Sequence, residues 1–343
     1  MSIPFPLGKL PADVLAQLLA SAQPADPRVL VGPGIGLDAA VIDMGDRLLV
    51  AKTDPITFAA DSIGWYAVQV NANDIATTGA TPRWFMATVL LPESRADAAM
   101  AENIFSQIHT ACADIGASLV GGHTEITYGL DRPIVVGAML GEVTRERLVT
   151  PSGARPGDAL LLTKGIAIEG TAIMAREQDL RGFAKRLQEL GNEFLERCRS
   201  FLIEPGISVV RDAAIATRGA AGRVHAMHDP TEGGLATGLY EMAQASGVGL
   251  TVEASAVPIY PETLTLCRVT SLDPWGLIAS GALLLAVDTA EAENICRALG
   301  TQGVRAAVIG RVTEQANAVL LRDASGVREL PRFERDEIAR LFE

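Results

Sequence analysis

The residues with the clearest chemical potential are acidic. Asp38 and Asp54 fall near the ends of predicted strands, and Asn71 and Asp74, three residues apart, share one face of a predicted helix with Thr78 a turn further on. Hard cations such as Mg²⁺ take oxygen ligands, and a few carboxylates completed by nucleotide phosphates are the usual way to supply them. Asp38, Asp54 and Asp74 together meet that description, while a solvated polar stripe is the other reading of the Asn71, Asp74 and Thr78 face. Gly121-Gly122-His123-Thr124-Glu125 reads as a strand-to-loop turn whose glycines let backbone N–H groups approach an anion, although a plain turn would look the same. In His228-Asp229-Pro230-Thr231-Glu232-Gly233-Gly234-Leu235, Asp229 falls in the N-cap region of a helix. Pro230 would be the first helical position and Glu232 follows three residues after Asp229. That capping role is compatible with binding a ligand.

Other familiar sites fit less well, although a Rossmann-type dinucleotide site stays open as a further reading. The chain has no G-x-x-x-x-G-K-[ST], so it has no Walker-type loop. Gly34-Ile35-Gly36-Leu37-Asp38-Ala39 fits G-x-G-x-x-A, but a dinucleotide site needs a full helix next, and too few residues lie between Ala39 and the Gly45-Asp46 turn to form one. Cys112, Cys198, Cys267 and Cys296 lie far apart with no Cys-x-x-Cys, so they read as buried or incidental thiols.

The elements that must position the acids follow from periodicity. A helix is expected over 11–21, with Val14, Leu15, Leu18 and Leu19 as its apolar stripe. The runs 38–44 and 47–53 flank Gly45-Asp46 as a hairpin. A helix over 62–78 stops at Gly79, followed by a strand over 85–90, a helix over 96–115, a short strand over 117–120 and a strand over 133–143. The turn-rich segment 150–158 marks a junction between a domain of residues 1–150 and one of 151–343. The second has expected strands at 159–162, 249–252, 282–287 and 306–309 separated by helices. The charged stretch 177–199 reads as a solvent-facing helical region. Loops around Glu169, Arg211 and Asp273-Pro274-Trp275 are expected to face the cleft between the domains.

A chain of 343 residues is long enough for two such cores. Its 48% hydrophobic and 20% charged composition, with 33 glycines, is that of a globular α/β protein rather than a disordered or fibrous one. A net charge of −12 opposes nucleic acid and anionic membranes as partners, so an anionic ligand calls for a bridging cation. The N-terminus lacks a leader's basic and apolar regions, and no stretch reaches the roughly 18 apolar residues a bilayer span needs. The expected location is cytoplasmic.

The order of motifs adds a family resemblance. Gly36-Leu37-Asp38-Ala39-Ala40-Val41, Thr53-Asp54, Asn71-Ala72-Asn73-Asp74-Ile75 through Gly79-Ala80-Thr81-Pro82, Gly121-Gly122-His123-Thr124 and Asp229-Pro230-Thr231-Glu232-Gly233-Gly234-Leu235 together resemble the aminoimidazole ribonucleotide (AIR) synthetase superfamily, from about Gly32 to Val312. Within it the chain is similar to the HypE-like hydrogenase-maturation branch, including Leu7-Gly8-Lys9-Leu10-Pro11. Selenophosphate synthetase and thiamine-monophosphate kinase are more distant relatives. The resemblance implies a PurM-like α/β (α+β) fold. Its N-terminal domain would form a β-barrel across a homodimer, its C-terminal domain an α/β sandwich, and Mg-ATP would lie in the cleft. It implies metal and phosphate binding at Asp38, Asp54 and Asp74, and closure of the site by the Asp229 motif. The family chemistry moves the γ-phosphoryl group of ATP and so activates an amide-like or acid group.

Three departures qualify that implication. Leu37 stands where the family commonly has the first of two acids, and His123 stands where an acid commonly follows the glycine pair. The chain ends Arg340-Leu341-Phe342-Glu343 rather than in the cysteine on which the hydrogenase-maturation protein works, so self-modification is not expected. Selenophosphate synthesis needs a selenium-handling cysteine and lysine in the glycine-rich N-terminal segment, and none stands there. The expectation is an ATP-dependent phosphoryl transferase acting on an unnamed acceptor, with Asp54 and Asp74 catalytic. Asp38, Asn71, Gly121, Gly122, His123, Thr124 and Glu125 would bind nucleotide, Asp38, Asp54, Asp74 and Asp229 would hold metal, and a maturation protein could be a partner. The alternatives are a non-catalytic nucleotide-binding scaffold, a small-molecule kinase or a selenophosphate-synthetase-like enzyme.

Overall fold

A computed structural model of the chain describes Phe5 and residues 10–21, 24–34, 36–37, 39–57, 61–177, 183–218 and 222–342. The first half contains α1 (Ala12–Ala20), β1 (Val29–Val31), β2 (Ala40–Asp43), β3 (Leu48–Ile56), α2 (Ile63–Thr77), β4 (Thr81–Pro92), α3 (Ala98–Ile115), β5 (Ser118–Thr127) and β6 (Ile134–Val143). The expected hairpin forms between β2 and β3. Its turn is held by the Gly45 N–H on the Asp43 carboxylate (3.0 Å) and the Met44 N–H on the Arg47 carbonyl (3.0 Å). A strand therefore follows the glycine-rich segment, and no dinucleotide-type helix can start there.

The six strands form one sheet in the order β1-β2-β3-β6-β4-β5. Only β4 and β5 run parallel, because α3 crosses between them. Alternation in β4 and β6 buries Phe85, Val89, Val135, Met139 and Val143 under α2 and α3. The other face keeps Met86, Leu90, Val136 and Leu140 partly exposed. β5, the edge strand, is exposed along most of its length.

The second half contains β7 (Ala159–Thr163), α4 (Ile168–Arg176), α5 (Ala184–Gln188), α6 (Asn192–Ser200), α7 (Val210–Thr217), β8 (Val224–His228), α8 (Gly234–Ser246), β9 (Gly249–Glu253), α9 (Pro261–Thr270), β10 (Leu284–Val287), α10 (Ala292–Thr301), β11 (Ala306–Thr313), β12 (Val319–Asp323) and β13 (Gly326–Glu329). Its sheet has the order β13-β12-β9-β11-β7-β10-β8, with β9 and β12 parallel. β7 and β10 are buried on both faces. Leu160 and Leu162 pack with Leu235, Leu239 and Met242 of α8, while Leu161 packs with Ala213, Ile295 and Leu299 of α7 and α10. Such strands read as unbroken apolar runs.

β8, β12 and β13 are additions to the sequence reading. The charged stretch 177–199 forms α5 and α6, but these are not wholly solvated, since Leu187, Leu195 and Cys198 are buried against α4 and α9. Cys112, Cys198, Cys267 and Cys296 are free thiols. Burial pushes Cys112 up to about 11 and Cys198 and Cys267 up to about 12, so they stay protonated at neutral pH. Among the described residues no helix is long and apolar enough to cross a membrane.

Candidate functional site

The polar face of α2 points inward. Asn71, Asp74 and Thr78 are all buried, as nearly all of that helix is, which removes the solvated-stripe reading. Burying such groups is tolerated only where they find partners. Asp54 lies on β3, and the alternation of that strand turns it toward α2 together with Val50 and Lys52.

The result is a compact polar group beneath α2. The Lys52 ammonium stands 3.0 Å from a carboxylate oxygen of Asp74 and 3.5 Å from one of Asp54. The Asn71 side-chain amide donates to the Asp54 carbonyl (3.2 Å) and to the Ala67 carbonyl (2.8 Å). Its own carbonyl oxygen is buried without a hydrogen bond. Gly137, paired with Asp54 in the β3–β6 ladder, makes the room: a Cβ there would meet the Asn71 amide nitrogen at 2.3 Å. Sequence reasoning named Asp54, Asn71 and Asp74 but missed Lys52 and Gly137. Lys52 could have been found as a cation two residues before Asp54, hence on the same strand face.

The next residue on α2 has a different task. The Asn73 amide donates to the Ile207 carbonyl and accepts the Val209 N–H, both at 2.8 Å, so it ties α2 to the loop before α7. Arg176 of α4 adds a second tie through Asp61 at 2.6 Å. A cavity of about 920 Å³ opens between the halves, walled by Trp65 and Asp114 on one side and by Phe201, Arg211, Tyr260 and Arg305 on the other. Neither Asp54 nor Asp74 lines it.

The remaining expected site residues lie elsewhere. Asp38 falls outside the described residues. Gly121, Gly122, His123, Thr124 and Glu125 do not form a turn; they continue β5, paired with Met86 to Leu90 of β4, because their backbone groups are used in the parallel ladder. Register puts Gly122 in the same row as Asp54, through Gly137 and Ala87, which is three strands or roughly 14 Å away. His123 and Glu125 contact each other at 3.3 Å and sit beside Thr88 and Leu90 on the face opposite α2. One chain therefore does not bring them to Asp54 and Asp74.

Asp229 is buried just past β8, which packs against α2. The capping box does not form. Gly233 and Gly234 both take left-handed backbone, so α8 begins only at Gly234, with Gly233 as its N-cap and no side-chain cap. The preceding loop is held instead by Asp336, which accepts the Gly233 N–H at 2.7 Å, and by the Ala279 N–H on the Thr231 carbonyl at 3.2 Å. Of the loops expected at the cleft, Arg211 does line the cavity, Trp275 accepts the Ala236 N–H at 3.0 Å, and Glu169 is buried. Burial, reinforced by the charges of Asp336 and Glu232, lifts the Glu169 carboxyl to about 7 against the pull of Ser280. Burial likewise lifts Asp336 to about 7.

Asp54, Asp74 and the Asn71 carbonyl oxygen are oxygen donors of the kind Mg²⁺ takes, and the position between the two carboxylates already accommodates a cationic group. Among the described residues no three histidine, cysteine or acidic side chains converge on one cation. A metal held here would need further oxygens from water or phosphate.

Comparison with known proteins shows the family. Residues 36–143 match the N-terminal domain, and residues 155–322 the C-terminal domain, of AIR synthase related protein. The chain is similar to a putative hydrogenase expression/formation protein of Methanocaldococcus jannaschii, 29% identical over 87% of each chain. It is also similar to carbamoyl dehydratase HypE of Rhodobacter capsulatus, 30% identical over 84% of this chain and 82% of that protein. Hydrogenase maturation protein HypE in complex with ATP superposes with a TM-score of 0.66 at 25% identity, covering 93% of this chain and 90% of that one. HypE in its complex with HypF gives 0.73 at 21% identity over 93% and 99%, a likeness of fold.

Proposed function

Because the chain belongs to the AIR synthase related family, we propose that it binds ATP with Mg²⁺ at Asp54, Asp74 and Asn71 and passes the γ-phosphoryl group to an oxygen of an acceptor. One observation carries the reading: the carboxylates of Asp54 and Asp74, from a strand and a helix, converge on a single cationic group. A bound Mg²⁺ would neutralise phosphate charge as the phosphoryl group moves. The chain's own part is positioning. β3 and α2 fix the two carboxylates, Asn71 ties its helix to the Asp54 backbone, and Asn73 sets the second half against α2. Asp38 and Asp229 would complete the oxygen set from the glycine-rich segment and from the second half. The cavity between the halves has room for an acceptor. Residues 1–150 and 151–343 would be the two domains, working in the cytoplasm.

A homodimer belongs to the same reading. Among the described residues α2 and α3 pack on one face of the first sheet, and the opposite face leaves Met86, Leu90, Val136 and Leu140 partly uncovered, beside an edge strand with exposed Val120 and Ile126. Exposed edges and uncovered apolar faces invite a second sheet. Pairing there into a barrel would bring His123 and Glu125 of one chain into an interface, where they could serve a nucleotide across the seam. HypE assembles with HypF in a solved structure, and a maturation protein of that kind would be the partner here.

The test is thermal unfolding with Mg²⁺ alone and with Mg²⁺ plus ATP, for wild type, Asp54→Asn and Asp74→Asn. At 100 times its Kd a ligand adds about 2.7 kcal/mol. A shift seen with ATP in wild type, removed by chelation and by either substitution, supports the site. ATP hydrolysis sensitive to the same substitutions supports the enzyme over a binding scaffold, and absence of any ATP-dependent shift refutes both.

A further inference from the structure

The cation between Asp54 and Asp74 belongs to the chain itself. Lys52 leaves β3 on the same face as Asp54 and reaches both carboxylates, at 3.5 and 3.0 Å, with its side chain only about one-fifth exposed. Asp74 is almost fully buried, and an ionised carboxylate in that position needs a compensating charge. A divalent cation bound by both acids would have to stand roughly 2.0–2.1 Å from an oxygen of each, in the space the ammonium takes. Two cations cannot share that space, so the lysine and the metal exclude one another.

We propose that Lys52 is a built-in counter-cation that keeps divalent metal out of the nucleotide-free site and gives way when a triphosphate arrives with its metal. The inference rests on the reading of this site as a nucleotide and metal site. The lysine has the properties the task needs: a compact charge on a flexible four-carbon stem that can turn from the carboxylates to a phosphate without leaving the site. The incoming phosphates supply the negative charge that the carboxylates then share with the metal. Lys52 is thus a positioning and selectivity residue that makes metal entry depend on nucleotide.

Mn²⁺, which takes the same oxygen ligands as Mg²⁺, is the probe. Nucleotide-free wild type, Lys52→Gln and Lys52→Arg are titrated with Mn²⁺ by calorimetry or by loss of the free-ion electron paramagnetic resonance signal. Lys52→Gln should bind Mn²⁺ at least tenfold more tightly than wild type, Lys52→Arg should behave as wild type, and Asp74→Asn added to Lys52→Gln should abolish the gain. An affinity in Lys52→Gln within threefold of wild type, or a gain that survives Asp74→Asn, overturns the proposal. Wild type alone gives an independent readout should Lys52→Gln not fold. A thermal shift of several degrees with Mn²⁺ alone, lost in Asp74→Asn, overturns the proposal, whereas a shift that appears only when a non-hydrolysable ATP analogue accompanies Mn²⁺ supports it. If the analogue produces no shift in wild type, nucleotide binding fails while the Mn²⁺ titrations still decide the role of Lys52.

Discussion

Asn73→Ala isolates the coupling between the two halves from the chemistry beside it. Asn73 is fully buried and spans 134 and 136 residues of chain to reach the Ile207 carbonyl and the Val209 N–H. Alanine deletes both hydrogen bonds and leaves a buried acceptor and a buried donor unpaired, each costing about 1–3 kcal/mol. The expected loss of unfolding free energy is therefore about 3 kcal/mol. At about 2.1 cal/mol/K of unfolding entropy per residue, that lowers Tm by about 4 °C if the chain unfolds as one unit. Scanning calorimetry and urea unfolding measure it, and a broadened or split transition would show the halves uncoupling. Asn73→Asp sharpens the argument. Its carboxylate can still accept the Val209 N–H but faces the Ile207 carbonyl, so at neutral pH it should be at least as destabilising as alanine and should recover in acid, where the protonated carboxyl can donate. A loss below about 1 kcal/mol for Asn73→Ala, or an Asn73→Asp protein as stable as wild type at pH 7, would refute the role of this amide.

The other predictions concern pH, space and assembly. Glu169 sits at about 7 when folded against an ordinary 4.5, so its contribution is fully present below about pH 4.5 and is lost as pH rises through 7, about 3 kcal/mol in all. Glu169→Gln should flatten the fall of Tm between pH 5 and 8 and overtake wild type above pH 7; an unchanged pH slope would contradict this assignment. Gly137→Ala puts a methyl 2.3 Å from the Asn71 amide nitrogen and 2.8 Å from the Phe85 ring. Overpacking should cost about 1–3 kcal/mol, and displacement of Asn71 should weaken the ATP-dependent thermal shift more than that stability loss explains. Met86→Lys combined with Ile126→Lys places charge on the uncovered face and the edge strand of the first sheet; light scattering should find the proposed dimer for wild type and a monomer for the double variant, and a monomeric wild type would refute the pairing.

Much of the architecture was legible from local signals. Apolar periodicity located α1, α2 and α3, the Gly45-Asp46 turn located the hairpin, and apolar runs located β7, β9, β10 and β11. Spacing alone put Asn71 and Asp74 on one helix face, and residue type pointed to a hard cation. Local chemistry misled where long-range pairing decides. Gly121 and Gly122 look like a turn, but β4 recruits them into a ladder. Asp229, Pro230 and Glu232 look like a capping box, but the left-handed Gly233 and Gly234 delay the helix. Only the tertiary structure could show that the polar face of α2 turns inward, that His123 and Glu125 lie three strands away on the opposite face, and that Lys52 stands between Asp54 and Asp74. The physical reason is range. Periodicity and turn propensity act over a few residues, whereas burial, register across a sheet and the meeting of charges from separate elements depend on partners tens of residues away.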